Sequence, residues 1–314
     1  MSTGGSSIWT QQASQLADTA GVGALRLPLL WVTIAVALAL AVAWAATCRR
    51  RILDRAGRFG DFTVPIGLAV IGSGVARLGG PIALGAVGAM ALASVTTIAL
   101  MTLVAASIIH SRPTLASIGG AWFLAPAAVL ADAIGIAALD TRAPPCGGAL
   151  GWAAVIAAGV GASGYLVVFG LAAARVATYR LDDVARAPWW IAAGCGGLSA
   201  AALGRASAVT AGDSVSMHAF GLAALGCWTV GTVALVPVLA GSSRYLMGLR
   251  KLTGRPPWPP TFSTGVYALG AIQVGRLLHL SSITSFAGVA AIATVCLWGL
   301  TVVAYLPRLA AASP

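Results

Sequence analysis

Trp258-Pro-Pro-Thr-Phe262-Ser-Thr-Gly265-Val-Tyr267-Ala268-Leu-Gly270 decides the reading of this chain. A proline-stiffened basic loop runs directly into an apolar helix that opens on a bulky aromatic and continues in small residues. A helix lining a narrow path, plugged near one end, would be written this way.

Composition places the helix in a bilayer. Hydrophobic residues make up 59% of the 314 and charged residues only 9%, and apolar runs of about 18 or more recur along the length, which no soluble domain of this size needs. Nine spans are expected, at about 29–48, 62–79, 84–108, 116–139, 149–174, 188–207, 217–240, 261–280 and 286–306. At ~1.5 Å per residue each covers most of a ~30 Å hydrocarbon core. The spans 62–79 and 188–207 are the shortest and read as helices buried among the others. The fold class is therefore an all-α polytopic membrane protein, a single domain over 29–307 with a polar segment 1–28 before it and a short tail 308–314 after it.

Arginines set the orientation. Arg49, Arg50, Arg51, Arg55 and Arg58 lie in one connection, Arg112 in another, then Arg175, Arg180 and Arg186, then Arg244, Arg250, Lys251 and Arg255, with Arg308 in the tail. These are alternate connections, so the rule that cytoplasmic loops are basic predicts a cytoplasmic C-terminus and an external N-terminus in a cell (inner) membrane. The net charge of +11 is then mostly a topology signal. It is spread over short loops instead of clustered with aromatics on one face, so no nucleic-acid partner is expected.

Four spans share a plan when aligned on a leading aromatic. Phe62-Thr-Val-Pro65 runs to Arg77, Trp122-Phe123-Leu-Ala-Pro126 to Asp140, Trp189-Trp190 to Arg205, and Phe262-Ser-Thr-Gly265 to Arg276. Each is rich in Gly and Ala and is followed by a plainer Ala/Val/Leu span, so the repeating unit is a helical hairpin. Small residues let backbones approach closely, and Pro within a span needs a neighbour or cavity to satisfy the freed carbonyl. Recurrence at one phase favours a ring of these helices around a central axis, over simple packing of each on its neighbours. Phe62, Pro65, Trp122, Phe123, Pro126, Trp190 and Gly265 are the candidate pore-lining positions.

These residues carry a resemblance. Gly120-Ala-Trp-Phe-Leu-Ala-Pro126 and Trp258–Gly270 resemble the corresponding helix starts of the tellurite-resistance/dicarboxylate transporter family, which includes the plant slow anion channels; Ser263 stands where that family has Pro or Gly. The resemblance, from about Leu29 to Pro307, implies ten helices in five hairpins, the first of each lining a pore, and usually a trimer. It implies passage of small anions, C4-dicarboxylates or oxyanions such as tellurite, and an aromatic gate at the position of Phe262. Ahead of Leu29, Ile8 to Ala20 is too polar to span, so the first pore helix is expected to be absent; Trp9, Ala13, Leu16 and Ala20 share a helical face suited to the membrane interface.

Charges inside the spans narrow the function further. Arg77, Arg205 and Arg276 each follow their aromatic by about the same interval, which puts them at one level at the external helix ends, as an anion vestibule. An arginine within hydrocarbon costs at least ~2.5–3.5 kcal/mol, so each either faces water or a partner, or snorkels to headgroups. Asp132 is the acid deepest in a span and admits two readings, proton coupling or an ion pair with one of those arginines; pairing is favoured. His110, His218 and His279 fall at helix ends and carry no function.

Enzyme chemistry has little material. The chain has eight Asp, no Glu and one Lys, and contains no HExxH, GxSxG or phosphate loop. Cys48, Cys146, Cys195, Cys227 and Cys296 are scattered without metal-ligand spacing, so no metal and no cofactor are expected. An anion channel or exporter is the leading reading; a proton-coupled carrier and a non-conducting scaffold or sensor are the rivals.

Overall fold

The structure is a computed structural model, and it describes residues 58–76, 83–140, 148–179, 189–210, 214–247 and 258–311. The expected span 29–48, the polar segment 1–28 and most of the basic connections lie outside the described residues. Among those described there is no strand; the chain is helical.

Eight helices follow one another: α1 (Thr63–Ala76), α2 (Ala83–Ser111), α3 (Leu124–Asp140), α4 (Ala149–Thr178), α5 (Trp190–Ala206), α6 (Ser214–Met247), α7 (Trp258–Leu277) and α8 (Ser281–Ala311). A one-turn helix, Arg58–Asp61, precedes α1. Odd-numbered helices are short and even-numbered ones long, and each odd–even pair packs as a hairpin.

Burial separates the two sets. Of the apolar stretch Gly120–Asp140, which contains α3, 78% is buried, against 17% for Gly85–Ser111 in α2. Every residue of α5 from Ile191 to Gly204 is buried. The long helices show apolar side chains outward instead, such as Ile98 and Ile109 on α2 and Ile156 and Val167 on α4. No water-soluble protein leaves such stripes bare, and a bilayer covers them. Five stretches are long and apolar enough to cross a membrane: Phe59–Ala76, Gly85–Ser111, Gly120–Asp140, Ala149–Thr178 and Val215–Val236. The two spans read from sequence as marginal are α1 and α5, both on the inside of the bundle.

The inner helices form an arc, with α1 against α3, α3 against α5 and α5 against α7. Its two ends, α7 and α1, make no comparable contact with each other. Each outer helix packs behind its own inner partner and also on the next inner helix: α2 touches α3, α4 touches α5, and α6 touches α7.

Glycine sets how closely these helices approach. A methyl group on Gly194 would lie 2.9 Å from the Ser263 Cα, and one on Gly197 would lie 2.5 Å from the Tyr267 Cα. One on Gly161 would strike the Leu130 side chain at 2.6 Å, joining α3 to α4. The small residues of the inner helices thus serve helix–helix contact, which in lipid supplies much of the association energy that burial from water supplies elsewhere.

The turn between α7 and α8 is tight for a local reason. His279 takes a left-handed conformation (φ 54°), and the Leu280 N–H bonds the Gly275 carbonyl at 2.8 Å. That pair is a Schellman helix end with a histidine where glycine is usual. His279 therefore has a structural role that its position in the sequence did not suggest.

Candidate functional site

The leading aromatics of the inner helices are all withdrawn from the surface. Phe62 and Phe123 are fully buried, Trp189 is 6% exposed and Phe262 8%. Phe59 stacks on Trp122 with ring centroids 4.9 Å apart and reaches Phe62 at 6.5 Å, so the starts of α1 and α3 are joined by rings. Phe123 meets Tyr165 of α4 at 5.9 Å, and the Pro126 ring lies against Gly164 of the same helix. Both residues thus contact the outer partner of their hairpin. Pro65 and Gly265 are buried within their helices, and Trp190 is half-buried at the start of α5.

Polar and aromatic contacts concentrate at the seams where an outer helix meets the next inner one. Asp132 of α3 is 5% exposed, and the polar group facing it is the Thr97 hydroxyl of α2. Neither Asp132 Oδ1 nor Thr97 Oγ1 completes a hydrogen bond. Asp132 thus lies against the outer helix α2, and among the described residues no arginine pairs with it.

At the following seam, Arg175 at the end of α4 donates from Nε to the Ala116 carbonyl at 3.2 Å and lies 5.4 Å from the Trp189 ring centroid. Read from sequence as one of the orienting cations, it also ties the segment before α3 to the start of α5. At the third seam, Tyr267 of α7 stacks on Trp228 of α6 at 5.2 Å, and its hydroxyl shares a 2.6 Å hydrogen bond with Thr232. Phe286 of α8 closes this cluster edge-on. The Tyr of the opening motif therefore points between outer helices, although its helix is an inner one. Thr97, Tyr165, Trp228 and Thr232 were not singled out from sequence, because nothing in a run of apolar residues marks which hydroxyl or ring a distant helix will meet.

At the other ends of the inner helices are the arginines. Arg205 closes α5 and is partly buried, and Arg276 in the last turn of α7 is exposed. Each feels the other's charge. Arg77 lies outside the described residues.

A family model described as voltage-dependent anion channel matches residues 1–306. The chain belongs to that family. The match takes in residues 1–28, so it begins earlier than the resemblance read from the motifs, which started near Leu29. No individual curated protein matches the chain. Membership makes this membrane protein an anion channel or transporter, and the family consists of channels and transporters, which agrees with the lack of enzymatic material in the sequence. Small anions are its substrates and the lipid bilayer is its setting.

Proposed function

We propose that this protein is a passive conduit for small anions in a cell membrane, with Phe262 as its gate and Arg77, Arg205 and Arg276 as a positive vestibule at the external ends of the inner helices. The observation that carries this reading is the pair Arg205 and Arg276, which have no carboxylate partner among the described residues. A structural arginine in a membrane protein is expected to be neutralised, whereas one that concentrates anions keeps its charge uncompensated. Small monovalent anions, C4-dicarboxylates and oxyanions such as tellurite are the candidate cargoes, and the working unit is a homo-oligomer, a trimer by family resemblance. The cytoplasmic side is the one that holds the alternate basic connections and the C-terminus.

The vestibule has a measurable signature. Arg77→Gln, Arg205→Gln and Arg276→Gln are each expected to lower anion conductance in planar bilayers at low salt and to matter much less near molar salt. Exposed fields are screened within ~10 Å at 0.1 M and ~3 Å at 1 M. Equal losses at both salt concentrations, with reduced protein yield, would replace the vestibule with a structural role.

Asp132 supports a second reading, proton-coupled uptake, because an uncompensated acid in mid-span is an ordinary mark of proton handling. Its place against α2, away from the chain of inner-helix contacts, favours a packing role instead. Asp132→Asn is therefore expected to leave any pH dependence of flux in liposomes unchanged at normal protein yield. Abolition of pH-driven accumulation would make the protein a coupled carrier.

A further inference from the structure

Helices α5 and α7 run parallel in one register. Gly194 meets Ser263, Gly197 meets Val266 and Tyr267, and Gly204 meets Gln273, so partner numbers rise together along both helices by the same offset. At the last contact a methyl group on Gly204 would lie 2.9 Å from the Gln273 Cβ, which leaves the two backbones no room to diverge. Carried on by one turn, the register sets Arg276 level with Ser207, immediately past Arg205. Two guanidinium groups therefore leave neighbouring helices at one height. Among the described residues neither has a hydrogen-bond acceptor or an ion-pair partner.

A guanidinium differs from a point charge. Its planar fork of N–H donors matches two oxygens of one anion, whereas an ammonium or a diffuse field attracts a spherical ion equally well. A pair held by a rigid glycine-packed interface, one member partly buried and the other exposed, offers two such forks in a fixed relation. A halide fills one fork poorly. An oxyanion can engage both.

We propose that Arg205 and Arg276 form a discrete two-point site for an oxyanion at the C-terminal ends of α5 and α7, which gives the protein a preference for oxyanions over halides beyond what a positive field supplies. Binding at the site is independent of conduction; only its effect on flux rests on the anion-conduit reading.

Arg→Lys variants separate geometry from charge. For the purified protein in detergent, nitrate or formate added at low-millimolar concentration to a constant salt background is expected to raise the unfolding temperature more than chloride does. Arg205→Lys and Arg276→Lys are expected to remove that difference, with oxyanion affinity falling about tenfold, the loss of one charge-assisted hydrogen bond. In liposomes the same variants would keep chloride flux and lose the oxyanion-to-chloride preference. Retention of the preference in both lysine variants, or equal stabilisation of the parent by chloride, overturns the discrete site and leaves only a field. If the parent binds oxyanions selectively, loses this in the variants and yet passes no anion, the site stands and the conduit reading falls. Arg276 is exposed, so its variant carries the test even if Arg205→Lys does not fold.

Discussion

Phe262→Ala is expected to raise anion flux into liposomes well above that of the parent protein. Phe262 opens the described part of the motif at the start of α7, and its ring is 8% exposed at the inner end of the arc. Ser263, Thr264 and Gly265 follow it, and three small residues leave a ring space to swing. An aromatic plug blocks by sterics and by drying a narrow apolar constriction, so truncation opens the path without creating a binding site. Each ~1.4 kcal/mol of barrier that the ring imposes is worth about a factor of ten in rate. A Phe that only packs predicts the opposite sign, since removing it from a core costs ~3–5 kcal/mol of stability and opens nothing useful. Phe62 serves as the control. It is fully buried and in ring contact with Phe59, so Phe62→Ala is expected to lower thermal stability with no gain in flux, and a larger gain there than at position 262 would move the gate to α1.

The second large effect falls on the α5–α7 interface. Gly197→Ala is expected to destabilise the protein, although alanine in place of glycine inside a helix gains ~1 kcal/mol by propensity alone. Sterics win because the new methyl group would meet backbone: Tyr267 Cα at 2.5 Å and the Val266 carbonyl oxygen at 2.7 Å. Flexible side chains yield, whereas two helices must move apart as bodies, and forcing extra atoms into a packed interior typically costs ~1–3 kcal/mol. Gly159→Ala on α4 is the matched comparison, since nothing lies within 4 Å of its new methyl group. The two substitutions are chemically identical and should shift the unfolding temperature in opposite directions. A rise in both would mean that α5 and α7 are not held at glycine distance. Because Arg205 and Arg276 are carried by the same pair of helices, Gly197→Ala is also expected to blunt the oxyanion preference.

How much of this was legible in the chain follows from what each signal depends on. Helix existence and type could be read directly, because in hydrocarbon every backbone N–H and C=O must be satisfied within its own segment, so an apolar run of about 20 residues has no alternative to a helix. The alternation of a small-residue helix with a fatty one was equally visible. A helix surrounded by others is free to be Gly and Ala, whereas one facing lipid needs Leu, Ile and Val, and α5 beside α6 shows both compositions.

Direction around each helix was not legible. The inner helices are apolar on every side, so no polar stripe marks the face turned to the axis, and Phe123, Pro126 and Tyr267 were indistinguishable in sequence from residues facing it. Tertiary packing turned Tyr267 out between α6 and α8 and pressed Phe123 onto Tyr165. Asp132 makes the same point: its depth in the span was plain, but that it meets Thr97 of α2 depends on an outer helix packing behind the next inner one. The sequence by itself determined a helical membrane protein of repeated hairpins with cations at the helix ends, because hydrophobic length and charge are properties of single segments. The tertiary structure alone decided which arginines meet and which aromatics are clasped between helices, because those are distances between segments, set by where glycine lets two backbones touch.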